Sequence, residues 1–140
     1  NDSGETTSAM DIRRPIGIEM TYEVLEDDKV LVPNFHFYNE QSICVFIAHD
    51  WSEPWRTKPR LRGIYTTTAW IPGNFLAEGH IFVTVAVSTY TPLIVHFVER
   101  DAVTFNVMDS LDGDSARGDY AGLLPGVVRP LLDWETKLSK

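Results

Sequence analysis

The stretch that decides the fold is His80–Tyr90, with the sequence HIFVTVAVSTY. Every second residue from Ile81 to Val87 is isoleucine or valine. A hydrophobic period of two is typical of a β-strand with one buried face. β-Branched residues also favour strands over helices, because their side chains are stiff at χ1. The stretch therefore predicts a strand whose Ile and Val side chains enter a core.

Strand-like patterns recur on both sides of this stretch, separated by turn signals at roughly 8–12-residue spacing. Six further strands are predicted: Ile16–Val24, Lys29–Tyr38, Ile43–Ala48, Gly63–Ile71, Ile94–Val98 and Ala102–Met108. Ile43–Ala48 is apolar on both faces, so we expect it to be either a central strand or one packed on two sides. No segment sustains a helical period, and without crossover helices a parallel βαβ sheet is unsupported. The fold class predicted is all-β, an antiparallel β-sandwich.

Length and composition narrow the class of protein. The chain has 140 residues and a net charge of −8, which argues against nucleic acid and anionic membranes because both need a basic footprint. Its single cysteine, Cys44, cannot form an internal disulfide and is expected to be a small buried hydrophobe. No apolar run approaches the ~20 residues of a membrane span. Four tryptophans in so small a domain favour a binding module.

The pattern divides the chain into three parts. Residues 1–14 are predicted to be a linker or a vector-derived remnant, because they are mostly polar or small and lack periodicity. Residues 15–134 are assigned to the sandwich and residues 135–140 to a C-terminal tail. A loose leading segment before an ordered domain suggests a piece of a longer protein. Leu131–Leu138 is expected to form either one short helix or an extended arm.

An ordered set of short motifs resembles a known family. The motifs are Gly63–Pro72, Asn74–Leu76, Glu78–Gly79, Val103–Asp109, Arg117–Gly118, Gly126–Pro130 and Trp134. Together they resemble the C-terminal domain of Wzt-type proteins, the ATP-binding subunits of bacterial ABC transporters that export O-antigen polysaccharide. The resemblance covers most of Ile16–Trp134.

The resemblance implies an immunoglobulin-like sandwich of about 7–8 strands that binds the terminal, sometimes capped, end of the glycan. It implies no catalysis and no cofactor, and a cytoplasmic location at the inner face of the inner membrane. The implied partners are the polysaccharide, the transporter's membrane subunit, the ATPase domain and a second copy, paired by exchange of a C-terminal strand.

The tail itself fits an exchanged arm. Val127 and Val128 form an extended apolar segment after the last predicted strand, and such a segment must pair with something. Docking on its own protomer is the alternative. Trp134 is expected to anchor the tail to the core or to the dimer. The predicted arm residues are Val127, Val128, Arg129, Pro130 and Trp134.

Sugar recognition needs flat aromatic faces and planar polar groups on a rigid frame. If Phe35 and Phe37 face the core, the residues that alternate with them face outward, and the same holds around Ala69 and Ile71. These outward residues are expected to form one row beside the loop 49–62. The predicted carbohydrate-binding residues are His36, Tyr38, Trp51, Trp55, Arg60, Arg62, Thr66, Thr68 and Trp70. Burial of the tryptophans in the core is the competing interpretation.

The charged residues of the loop 49–62 allow two interpretations, and the spacing of possible metal ligands argues against a metal site. Arg56, Lys58, Arg60 and Arg62 either clamp an anionic cap or pair with the surplus Asp and Glu. The four histidines lack metal-ligand spacing, and Asp109–Asp114 does not match an EF-hand loop, so no metal site is predicted.

Motifs of catalysis are missing from the sequence too. Neither a nucleophile elbow nor a Gly-rich phosphate loop occurs, so the chain is predicted to be neither an enzyme nor the ATPase itself. Two alternatives to free glycan binding stay open. One is a dimerisation or protein-docking module, and the other is a carbohydrate-binding domain attached to a glycan-modifying enzyme.

Overall fold

The computed structural model describes residues 9–26, 29–53, 55–90, 92–111 and 113–139. All regular elements in these ranges are strands, which confirms the all-β prediction. The strands are β1 (Ala9–Asp11), β2 (Ile16–Val24), β3 (Val32–Tyr38), β4 (Cys44–His49), β5 (Gly63–Ile71), β6 (Gly79–Tyr90) and β7 (Leu93–Met108).

The strands form two layers, as a sandwich requires. One sheet has five strands in the order β1-β7-β6-β3-β4, and the other pairs β2 with β5. The pairs are antiparallel except for β1, which runs parallel to β7 with Met10 opposite Val107. The sandwich is therefore confirmed, and the expectation of a purely antiparallel fold is corrected at this one edge.

The segment 9–14, which the sequence assigned to the linker, takes part in the fold. The Ile12 side chain lies in the core and its backbone N–H donates to the Met108 carbonyl at 2.8 Å. Arg13 fixes the segment from outside, since its guanidinium donates to the carboxylates of Asp11 and Asp114. A three-residue strand is too short to show a period of two, so the sequence pattern could not reveal it. Residues 1–8 lie outside the described residues.

The core forms where the inner faces of the two sheets meet. Phe37 of β3 is fully buried, and its ring stacks on that of Phe46 with centroids 4.2 Å apart. The core face predicted for β6 is confirmed, because Ile81, Val83, Val85 and Val87 all lie in the core. The other face of β6 is buried as well from Thr84 to Ser88. From the opposite layer β2 contributes Ile16, Ile18, Met20 and Val24.

Two expectations about β4 are wrong. The strand lies at the edge of the five-stranded sheet rather than at its centre, and Cys44 at its start is exposed. Ile43 and Ile47 are exposed as well, so the apolar character of this stretch on both faces does not reflect burial on both faces. One face of β4 packs against the core through Phe46, and the opposite face points away from the core.

The two last predicted strands are one long strand, β7, of 16 residues. Asp101 has a positive φ of 49°, and the register with β6 shifts between Val83 and Val85. A bulge of this kind bends a strand and interrupts its alternation, which is why the sequence pattern breaks there. The predicted gap therefore marks an irregularity within β7 and not a turn.

The segment after Gly126 docks on its own protomer. Val128 bridges Leu76 antiparallel, and the backbone N–H of Arg129 donates to the Phe75 carbonyl at 2.7 Å. The Arg129 guanidinium is buried and donates to Glu78 at 2.8 Å. In the single chain, Val127 and Val128 therefore pair with their own protomer, as the alternative of docking on the same protomer predicted.

The chain beyond Leu131 is an extended arm and not a helix. Residues 132–139 have no regular secondary structure. Leu132, Leu138 and Trp134 are exposed, Trp134 at 85%. Trp134 does not anchor the tail to the core of its own chain, so of the two roles expected for it only the dimer contact remains a prediction.

Candidate functional site

The predicted row of outward residues is divided between two opposite faces. His36 and Tyr38 belong to β3 of the five-stranded sheet, whereas Thr66, Thr68 and Trp70 belong to β5 of the other sheet. Phe35 and Phe37 meet Ile71 in one core, so the residues alternating with them point in opposite directions. The expectation of a single platform is wrong, because the sequence did not reveal which strands share a sheet.

An aromatic cluster of His49, Trp51 and Tyr90 lies on the outer side of the five-stranded sheet. The His49 and Trp51 rings stack with centroids 6.0 Å apart, and Tyr90 lies 5.3 Å from His49 and 5.8 Å from Trp51. A hydrogen bond of 2.7 Å joins the Tyr90 hydroxyl to His49 Nδ1. Trp51 keeps 43% of its surface exposed. These contacts fix the rings while leaving an indole surface available to a ligand.

A polar network adjoins this cluster, because Asn34 pairs with His49 across β3 and β4. The Asn34 amide donates to the Val32 carbonyl at 3.0 Å, so its Oδ1 is the acceptor for His36 Nε2 at 2.9 Å. This arrangement assigns the proton of a neutral His36 ring to Nε2 and leaves Nδ1 as an acceptor. Burial, and then the nearby His49, lower the pKa of His36, so the ring is neutral at pH 7.

The sequence predicted His36, Tyr38 and Trp51 as binding residues and Asn34 as an outward residue of the same strand. It did not reveal the part that His49 and Tyr90 take in this cluster. Tyr38 is half-buried at the far end of the same row, opposite Phe82. His49 and Tyr90 are 41 positions apart and meet only because β3 lies between β4 and β6. No local sequence pattern predicts such a contact, because the contact depends on the order of the strands in the sheet.

Arg60, predicted as a ligand contact, is a structural residue, whereas half-buried Trp55 stays a predicted ligand contact. Arg60 is 1% exposed and its guanidinium donates to the Leu31 carbonyl and to Asp50 at 3.1 Å. The same guanidinium lies 5.4 Å from the Trp55 ring centroid, and Trp55 contacts Tyr65 edge-on at 5.5 Å. Arg60 therefore cannot clamp a ligand, which corrects the expectation for this residue.

The other cations of this loop differ from Arg60. Arg56, Lys58 and Arg62 are exposed, so the choice between an anion clamp and pairing with carboxylates stays a prediction for them. Asp112 of the acidic turn considered for calcium lies outside the described residues. Among the described residues, no three His, Cys, Asp or Glu side chains are arranged to hold a metal ion.

Trp70 lies on the outer face of the two-stranded sheet, directly over Gly17. A Cβ atom added at Gly17 would come within 3.0 Å of the Cη2 and Cζ3 atoms of the indole. Thr66 and Thr21 are joined across the same face by a hydrogen bond between their hydroxyls at 3.1 Å. The outward orientation predicted for Thr66, Thr68 and Trp70 is confirmed, and Trp70 keeps 57% of its surface exposed.

A cleft of about 620 Å³ opens where the two sheets diverge, between β2 and the first half of β7. Its floor consists of core side chains, including Val85 and Val87, and Phe97 stands exposed at its rim. The Tyr22 hydroxyl is buried at this cleft without a hydrogen-bond partner. One side of the hydrophobic core is therefore open to solvent in a single chain.

In the part of the chain that the structure describes, there is no helix with the length and apolar character of a membrane span.

Comparison with known proteins bears on the fold. No family model matches the chain, and no curated protein matches it either. Among solved structures, the one described as the crystal structure of the C-terminal domain of Wzt superposes with a TM-score of 0.69 and 14% sequence identity. The match covers 93% of this chain and 74% of that one. The chain therefore has the fold of the Wzt C-terminal domain, as its sequence motifs predicted.

Proposed function

We propose that this domain binds a bacterial polysaccharide without catalysis and presents the glycan to an ABC exporter. The observation that carries the proposal is the aromatic cluster, with its exposed Trp51, beside the His36–Asn34 network on the outer side of the five-stranded sheet. The structural likeness to the Wzt C-terminal domain supports the proposal. The sequence motifs resemble the same domain, and that resemblance implies O-antigen export. In this proposal the domain is held at the inner face of the inner membrane by its ATP-binding subunit and the membrane subunit.

The chemistry of the face suits a sugar. The indole of Trp51 offers an apolar surface to the C–H face of a pyranose ring, and few rotamers are lost when an aromatic side chain binds. His36 Nδ1 is an acceptor for a sugar hydroxyl, and Tyr38 is a second hydrogen-bonding group in the same row. A glycosidase would need two carboxyl groups across a cleft, and the groups assembled here are imidazole, phenol, indole and amide.

Indole resonances test the proposal residue by residue. Uniformly ¹⁵N-labelled protein is titrated with short oligosaccharides of neutral hexose and 6-deoxyhexose repeats, and the N–H signal of Trp51 is followed. We expect that signal to shift and Trp51→Ala to weaken binding about tenfold or more, because it removes about 1.5–3 kcal/mol of apolar contact. Tyr120→Ala, an exposed aromatic in a remote turn, is the matched control. Absence of any Trp51 shift across the panel would refute the proposal.

The first alternative, a protein-docking module, predicts a different result in the same experiment. In that case no oligosaccharide shifts Trp51, while a transporter subunit does. The second alternative, a carbohydrate-binding domain of a glycan-modifying enzyme, keeps the Trp51 shift. It is separated by expressing the full natural protein and testing whether the polysaccharide is modified or exported.

The resemblance also implies a dimer, and the cleft between the sheets suggests where a second copy would bind. We propose that residues 132–139 of one copy lie in the cleft of a second copy, along β2. Extended, these eight residues span about 26 Å at 3.3 Å per residue, close to the length of nine-residue β2. The exposed Leu132, Trp134 and Leu138 of the arm match the apolar floor of the cleft, and the partner strand would supply a hydrogen bond for the Tyr22 hydroxyl.

Truncation tests the seat of the dimer. A stop after Leu131 removes the arm but keeps the segment that docks on its own protomer. Sedimentation equilibrium should show a dimer for the full chain and a monomer for the truncated one. Leu132→Ala/Trp134→Ala, which keeps the chain length, should weaken the dimer as well. A truncated chain that remains dimeric, or a full chain that is monomeric at all concentrations, would contradict the exchange.

A further inference from the structure

We infer that the chain carries a second carbohydrate platform, centred on Trp70, on the face opposite to the aromatic cluster. The inference rests on the proposed function, since it assigns a second segment of the same glycan to this domain. It arises from the division of the predicted site into two faces, which places Trp70 and His36 on different sheets.

The indole of Trp70 is held flat by its contact with Gly17. Ile18 and Ile16 beside Gly17 point into the core, so the backbone of β2 at Gly17 is a fixed base. Because Gly17 has no Cβ atom, the indole ring lies directly over its backbone. A Cβ atom added there would be only 3.0 Å from the nearest ring carbons. One face of the indole is thereby covered by backbone while the other faces solvent, and this is the geometry that stacking on a sugar requires.

Polar groups continue this platform along the two strands. Thr68 lies opposite Glu19, and Thr66 lies opposite Thr21, to whose hydroxyl it is hydrogen-bonded at 3.1 Å. Residues on one face of a strand repeat every ~6.6 Å, so the hydroxyls and the carboxylate follow the indole in a line. Hydroxyls that both donate and accept, next to a carboxylate that accepts, match the hydroxyl groups around a sugar ring.

The charge of this face selects the kind of sugar. Glu19 and Glu23 are exposed on the same side of β2, whereas the exposed Arg62 lies beyond the opposite end of β5 from Trp70. A phosphate or a carboxylated sugar would be repelled by Glu19 beside the indole. The platform therefore takes an uncharged stretch of glycan, and not an anionic terminal cap.

Two platforms on opposite faces give a stoichiometry that one site cannot give. A short uncharged oligosaccharide should occupy both faces independently, so that two molecules bind per chain. A long polysaccharide that reaches both faces would gain avidity from the second contact without any change in either site.

The four tryptophan indole signals distinguish the inference from the proposed function in one titration. With the neutral oligosaccharide that shifts Trp51, we expect the Trp70 signal to shift too and calorimetry to give two molecules per chain. Trp70→Ala should reduce the stoichiometry to one and leave the Trp51 shift unchanged. Gly17→Val, which displaces the ring without removing it, should weaken binding at Trp70 alone, and Thr104→Ala on the other sheet is its control.

The outcomes separate cleanly. A shift of Trp51 with no response of Trp70 overturns the second platform and leaves the proposed function intact. No shift at either residue overturns both. If Trp70→Ala changes the oligomeric state while no oligosaccharide moves the Trp70 signal, the face is a protein contact and the inference is wrong.

Discussion

Replacing Arg60 by alanine is expected to destabilise the fold severely, although Arg60 lies in a loop rich in cations. The variant removes the guanidinium that donates to the Leu31 carbonyl and pairs with Asp50, and it removes the cation from the Trp55 ring. Among the described residues, the Asp50 carboxylate then keeps only the hydrogen bonds that Ser52 donates to its other oxygen. Breaking a buried pair in this way costs about 3–5 kcal/mol. Asp50 retains some contact with water and Arg60 Nε has no hydrogen bond in the described structure, so we expect the lower end, about 3 kcal/mol.

Urea unfolding measures this loss. With a urea m-value of about 1–3 kcal/mol/M, the midpoint should fall by about 1–3 M. Arg62→Ala is the matched control, since Arg62 is exposed and its removal should change the free energy of unfolding by no more than about 0.5 kcal/mol. If Arg60→Ala does not fold, Asp50→Asn gives a milder break of the same pair. Equal midpoints for Arg60→Ala and Arg62→Ala would refute the structural role and restore Arg60 as a candidate ligand contact.

Three further predictions concern the core, the docked C-terminal segment and the platform. Phe37→Ala should cost about 3–5 kcal/mol of unfolding free energy by denaturant titration, because the ring is fully buried. Burial raises the pKa of Glu78, but hydrogen bonds from Arg129 and Arg117 outweigh burial and lower it below 4.5. The ionised Glu78 therefore stabilises the fold above pH 4.5, and this stabilisation is lost as the pH falls through the lower pKa of the folded state. Glu78→Gln should be less stable than the parent at pH 7, and its free energy of unfolding should fall less than that of the parent below pH 4.5. Gly17→Ala should change the fluorescence of the Trp70 indole, because the added Cβ falls within 3.0 Å of the ring.

The strands could be predicted from the sequence where burial enforces a period of two. β2 and β5 have one face more exposed than the other over most of their length, and β6 keeps its Ile and Val side chains on one face although both of its faces are largely buried. The bounds of all three strands agree with the prediction within a few residues. β1 was missed because three residues cannot display a period, and β7 was divided because its bulge resets the alternation. β4 lies at the edge because only β3 pairs with it, and the composition of a strand does not show which strands pair with it.

The candidate site was predictable in its residue types but not in its arrangement. Alternation placed His36 and Trp70 outward, and both orientations agree with the structure. Whether two outward residues share a surface depends on sheet order, and there the prediction of one platform was wrong. The loop 49–62 shows the same limit, because Arg60 and Arg62 are equally polar in sequence while one is buried against Trp55 and Asp50.

The way in which the fold uses its charged residues favours a neutral over an anionic ligand on the aromatic face. Arg13, Arg60, Arg117 and Arg129 each contact a carboxylate of the same chain, so part of the positive charge is internally compensated. His36 on the proposed sugar face is neutral at pH 7. A ligand bound by stacking and hydroxyl contacts on such a face should keep its Kd between low and high salt, since screening acts on charges.

An anionic cap would have to bind at the exposed cations Arg56, Lys58 and Arg62, and its affinity would fall steeply with salt. Calorimetry in 50 mM and 500 mM salt therefore distinguishes the two kinds of ligand. We expect equal affinities for a neutral oligosaccharide and no effect of Arg62→Ala on its binding. A marked loss of affinity at high salt, reproduced by Arg62→Ala at low salt, would place the binding energy in the basic loop instead of on the aromatic face.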